Sequence, residues 1–102
     1  MAQSSVWKVW ERQVARDLCG ERTGPRGYGL PDVILPDIAP ECKAQASLSL
    51  RGKDLEQAEV NRKNTGKTWW ALLLRENKTA RKVAVIPYDY FVHLYNNQKE
   101  DA

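Results

Sequence analysis

The residues of this chain best suited to chemistry are Glu11, Asp32, Glu41 and Lys43. Glu41 and Lys43 stand two apart within Ile38 to Ala46, a stretch that predicts a strand, so their side chains leave one strand face together. Gln45 continues that face, while Cys42, Ala44 and Ala46 point the other way and are small enough to pack beneath a helix. Asp32 follows Pro31 at the head of another short apolar stretch, from which it can approach across a paired strand. Glu11 stands out for a different reason. Projected on a helix it falls among Trp7, Val14 and Leu18, on the apolar stripe. An ionised carboxylate there needs a metal or a salt-bridge partner, for which Arg12 and Arg16 are near at hand. Three carboxylates gathered at one point need a divalent cation to relieve their repulsion, and an ammonium beside them can steady charge growing in a transition state. A Glu and a Lys on one strand face are also common on ordinary solvated strands, so the pair gains meaning only from its surroundings.

The elements that must position these residues can be read in order. Between Val6 and Leu18, Trp7, Trp10, Val14 and Leu18 recur at the spacing of an amphipathic helix, with Ser4 or Ser5 as cap and Gly20 as terminator. Glu21 to Leu30 carries three glycines and one proline and reads as a loop. Pro31 to Leu35 reads as a short strand, Pro36 and Asp37 as a turn, and Ile38 to Ala46 as the second arm of a hairpin, with Pro40 near its start. Asp54 to Asn64 reads as a second helix of thin apolar face (Leu55, Ala58, Val60), with Asp54 and Gln57 spaced as a capping box and Gly66 at its end. Trp69 to Leu74 and Val83 to Ile86 read as buried central strands. Tyr88 to Tyr95 reads as a short last helix that packs through Phe91, Leu94 and Tyr95, with residues 97–102 frayed. The order α-β-β-α-β-β-α predicts an α/β domain, a mixed central sheet flanked by helices.

Bulk properties narrow the class. A chain of 102 residues suits one domain, residues 1–102, and 42% hydrophobic with 28% charged residues is too apolar for a disordered chain. No apolar run approaches the roughly 20 residues of a membrane span, and no export signal is evident, so the chain is expected to remain in the cytoplasm. Cys19 and Cys42 lack metal-knuckle spacing and read as reduced, packed thiols; His93 reads as structural. A net charge of +3 suits a polyanionic partner without specifying one.

Glu11-Arg12 in the first helix, Arg22-Thr23-Gly24 in the loop, Pro31-Asp32-Val33, Glu41-Cys42-Lys43 and the helix containing Gln57 occur in an order that resembles the PD-(D/E)XK nuclease superfamily. The likeness is closest to its small Holliday-junction resolvases and related phage-encoded endonucleases, and it spans Val6 to Ile86. It implies a restriction-endonuclease-like core and a Mg²⁺-dependent endonuclease, with Mn²⁺ able to substitute. Asp32, Glu41, Glu11 and the Cys42 backbone carbonyl would hold the ion, Lys43 would serve the attacking water and the phosphate, and Gln45 would support them from behind. Arg22, Arg26, Lys53, Arg62, Lys63 and Lys67 could neutralise DNA phosphates, and Tyr28 could stack on a base. Two features depart from the pattern: Pro36 and Pro40 stiffen the hairpin, and Asp37 competes with Asp32 as the ligand.

A junction with near two-fold symmetry needs two cuts, so a resolvase is expected to be a homodimer. Trp69 and Trp70, which leave a strand on opposite faces above a thin second helix, supply apolar area for a partner. A phage origin would place the enzyme in the host cytoplasm. The alternatives are a nicking nuclease on duplex, flapped or single-stranded DNA, a non-catalytic nucleic-acid-binding module, and a structural protein unrelated to nucleic acid.

Overall fold

The computed structural model describes residues 2–22 and 33–101, with side chains for 6–22 and 33–98. Three helices flank a mixed sheet in the order α1 (Ala2–Leu18), β1 (Glu21–Arg22), β2 (Val33–Ile34), β3 (Ile38–Gln45), α2 (Gly52–Thr65), β4 (Trp69–Glu76), β5 (Lys82–Val85) and α3 (Tyr88–Asp101). The α/β class is as the sequence predicts, with one strand more, because Glu21 and Arg22 pair with Ile34 and Val33 instead of lying in a loop.

The apolar run of β4 occupies the middle of the three-stranded sheet. It pairs in parallel with β3, from Ile38 opposite Trp69 to Gln45 opposite Glu76, and antiparallel with β5. Parallel neighbours need a crossover connection, and α2 supplies it, making β3, α2 and β4 one βαβ unit. Pro40 is fully buried yet tolerated, because β3 lies at the end of its sheet and a proline there leaves no interior ladder donor missing.

Side-chain alternation sends the two faces of β3 and β4 to different helices. Ile38, Cys42, Ala44 and Leu73 pack against Trp10, Val14 and Ala15 of α1 together with Val33 and Leu35. The Trp10 indole N–H, which burial obliges to find an acceptor, donates to the Leu73 carbonyl at 2.8 Å. On the other face Leu72 and Leu74 meet Ala58 of α2, bordered by Leu48, Leu55, Trp70 and Val85.

Several local expectations are corrected. Helix α1 already includes Ser4 and Ser5, so neither caps it. At its end Cys19, not Gly20, takes the left-handed conformation (φ 57°), while the Gly20 N–H returns to the Ala15 carbonyl at 2.8 Å. Gly20 serves close approach instead: a Cβ there would lie 2.7 Å from the Ile34 carbonyl oxygen. Helix α2 starts at Gly52, so Arg51 is its N-cap and Asp54 its third residue; the box partner of Asp54 is Arg51 rather than Gln57.

The hairpin of β2 with β3 does not form among the described residues. β2 pairs with β1, and the Asp37 carbonyl accepts from the Thr68 and Trp69 N–H groups, which commits the start of β3 to β4. Among the described residues β5 has one neighbour and is an exposed edge, not a central strand. Helix α3 runs from Tyr88 to Asp101, past the end expected at Tyr95, and Phe91, Leu94 and Tyr95 are exposed instead of forming its packing face. It packs through Tyr90 and His93, whose rings lie 4.8 and 5.7 Å from that of Trp69, a flat aromatic surface that favours stacking. Cys19 is exposed, whereas Cys42 packs against the α1 core as expected. Among the described residues no helix is long and apolar enough to cross a membrane.

Candidate functional site

Strand alternation places Glu41, Lys43 and Gln45 on the face of β3 that α2 covers, in register with Leu72, Leu74 and Glu76 of β4. The carboxyl-terminal half of β3, with residues from both of its faces, lines a groove of about 600 Å³. Helix α1 contributes Trp7 and Glu11 to the groove, β3 contributes Glu41 through Gln45, and the start of α2 contributes Arg51, Lys53 and Asp54. The groove thus gathers Glu11, Glu41 and Lys43 from positions up to 32 residues apart in sequence. A crevice beyond the carboxyl ends of parallel strands, beside a helix N-terminus, is where α/β folds commonly bind ligands.

The three carboxylates of the groove and Lys43 each have a protein partner. Glu11, 7% exposed, accepts from Arg22 Nη2 at 3.0 Å and Nε at 3.3 Å. Arg22, brought over by the β1–β2 pair, therefore serves Glu11 as a counter-ion. Lys43 Nζ lies 3.3 Å from Asp54 Oδ1, while Asp54 Oδ2 accepts from the Arg51 backbone N–H. Burial pushes the Asp54 carboxyl up, but Lys43 and the Arg51 backbone N–H outweigh that and hold it below its usual value. Glu41 accepts from the amide of Asn61, whose oxygen in turn accepts from Gln57 Nε2 at 2.9 Å. Gln45 serves the chain locally: its amide exchanges hydrogen bonds with Ser49 and so shapes the turn into α2.

The donors that could face a cation are carboxylates and a backbone carbonyl, hard oxygens of the kind Mg²⁺ takes. Among the described residues no three His, Cys, Asp or Glu side chains lie close enough to hold an ion. Asp32, the remaining expected ligand, lies outside the described residues, as do Arg26 and Tyr28. Asp37 is not among the groove residues; it lies in the bend just before β3, four residues before Glu41 and roughly 13 Å away along the chain.

The basic residues divide. Lys53 lines the groove. Arg62 is engaged by Glu59 and donates to the Lys67 carbonyl at 3.0 Å, and Lys67 Nζ donates to the Pro36 carbonyl at 3.3 Å. These two, with exposed Lys63, sit at the far end of α2, well over 10 Å along the helix from Lys53. Four residues of the site were not anticipated in these roles. Arg51 and Asp54 follow from where α2 begins, which composition around Gly52 does not disclose. Asn61 could have been found as an i+7 companion of Asp54 on the buried stripe. Trp7, assigned to the core, is 43% exposed at the groove.

No family model, curated protein or solved structure matches this chain.

Proposed function

We propose that the chain is a metal-dependent endonuclease of the PD-(D/E)XK type acting on DNA. The observation that carries this reading is the presentation of Glu41 and Lys43 from one face of β3 into a groove that also holds Glu11 and the basic residues Arg51 and Lys53. Glu11, Glu41 and the Cys42 carbonyl, with Asp32, would hold Mg²⁺ or Mn²⁺, which when bound lowers the pKa of water and polarises a phosphate oxygen. Lys43 reaches the same groove with a charged ammonium, placed to orient the attacking water and offset negative charge on the phosphate. Arg51 and Lys53, beside the positive end of the α2 dipole, would seat the backbone phosphates on either side. Trp7 offers a ring on which an unpaired base can stack.

Branched DNA, and the four-way junction in particular, is the proposed substrate, cut by a homodimer with two sites about a two-fold axis. A chain of 102 residues favours recognition of backbone shape over a long base sequence. The enzyme would act in the cytoplasm, that of the host if the gene belongs to a phage. The test is incubation with labelled four-way, flapped, duplex and single-stranded DNA in Mg²⁺, in Mn²⁺ and in chelator. Metal-dependent scission is expected, with Glu41→Gln and Lys43→Ala each at least about a hundredfold slower. Absence of scission on all four substrates in either metal refutes the reading.

A further inference from the structure

The residues that α2 buries are Asp54, Ala58 and Asn61, spaced i, i+4 and i+7 on one helix face. Two of the three are polar, which is the wrong composition for a helix that only covers a sheet. Their partners explain the choice. Asp54 meets Lys43, and two helical turns later Asn61 meets Glu41, so the two residues of the candidate site that share a strand face are each held by α2. The order is reversed along the two elements, as it must be when a crossover helix runs back against the strand it follows. The contacts are also directional. Because Gln57 donates to the Asn61 oxygen, the Asn61 nitrogen is the end that faces Glu41. Because the Arg51 N–H takes Asp54 Oδ2, it is Oδ1 that meets Lys43. Among the described residues no buried side-chain nitrogen or oxygen is left without a partner, so the arrangement is complete within this chain.

We infer that Asp54 and Asn61 are positioning residues: α2 sets Lys43 and Glu41 in place for the reaction, Asp54 acting through Lys43 and Asn61 through Glu41. This rests on the nuclease reading above. It assigns α2 a second task beyond linking β3 to β4, since its first and third turns lock the two groups relative to each other. The Asp54 carboxylate also joins helix start and lysine in one contact, so the N-terminus of α2 and Lys43 keep a fixed relation.

The experiment is a double-mutant cycle read as single-turnover cleavage, with DNA affinity measured separately. Asp54→Asn keeps an acceptor for the Arg51 N–H and removes the charge that faces Lys43. It should slow cleavage about tenfold to a hundredfold with DNA affinity unchanged, and should add nothing further in a Lys43→Ala background. Asn61→Leu should weaken Mn²⁺ binding, measured by calorimetry without DNA, about tenfold to a hundredfold, as loss of a ligand-orienting partner does. Asn61→Ala stands in for Asn61→Leu, and Asp54→Ser for Asp54→Asn, if either fails to fold by circular dichroism. Wild-type protein that cuts none of the DNA substrates refutes the nuclease reading and the positioning role with it. Wild-type cleavage, with Asp54→Asn and Lys43→Ala multiplying independently or with Mn²⁺ affinity unmoved by both Asn61 variants, overturns the positioning role alone.

Discussion

Helix α1 reaches the sheet with Trp10, Val14 and Ala15, whereas α2 reaches the opposite face with Asp54, Ala58 and Asn61. Both cover the same two strands. The α1 side is held by apolar area and one indole hydrogen bond, with its single buried charge, Glu11, neutralised by Arg22. The α2 side has a small apolar cluster and a row of hydrogen-bonded polar contacts ending at the groove. The two faces of one strand thus differ: Ile38, Cys42 and Ala44 of β3 pack toward the α1 core, whereas Glu41 and Lys43 take polar partners from α2.

The sharpest way to break this contrast is Trp10→Ala, which removes the largest α1 side chain of the core. It should cost about 3–5 kcal/mol by urea unfolding, and a loss below about 1 kcal/mol would show that α1 is not the stabilising layer. Ala58→Leu probes the other side. With Ala58 fully buried against Leu72 and Leu74, extra volume there should cost about 1–3 kcal/mol, and an unchanged midpoint would mean that α2 is loosely seated.

Glu11→Ala should destabilise by about 1–3 kcal/mol, less than a fully buried pair because Arg22 stays partly exposed, since it strands the Arg22 guanidinium. A rise in melting midpoint in EDTA would contradict the pairing.

The smallest expected effect concerns Glu76, at the end of β4 on the α2 side. Its carboxyl is held down to about 2 by the Thr79 hydroxyl, then the Leu48 backbone N–H and Arg81. Because this lies below the ordinary 4.5, its contribution is fully present above the unfolded value and is lost as pH falls from there to about 2. Glu76→Gln should therefore flatten the stability curve between those pH values and leave its slope near neutrality alone. Parallel acid limbs for the two proteins would show that Glu76 takes no part.

Much of this was legible in order and spacing. Strand period two was enough to put Glu41 with Lys43 and to send Cys42 and Ala44 beneath α1. The stripe of α1 flagged Glu11 as a buried charge, and Trp69 and Trp70 do leave β4 on opposite faces, one onto α3 and one onto the α2 side. The misses share a cause. Arg22 as the partner of Glu11, β2 pairing with β1, and α3 setting Tyr90 and His93 against Trp69 all depend on contacts between segments whose local sequence permits more than one arrangement. Asp54 was recognised as a capping residue but placed three positions out of phase, because Arg51 is not a residue type that advertises an N-cap.

What the sequence determined by itself is the α/β class, the two-sided strand that carries Glu41 and Lys43, and the polar character of α2, since these follow from periodicity within single segments. Tertiary structure decided which partner each charge takes and where the groove opens. Only the parallel pairing of β3 with β4 sends α2 back across Glu41 and Lys43, and only the β1–β2 pair delivers Arg22 to Glu11. An ion pair between distant residues has no signature in either segment alone, because its energy exists only once the chain has closed the loop between them.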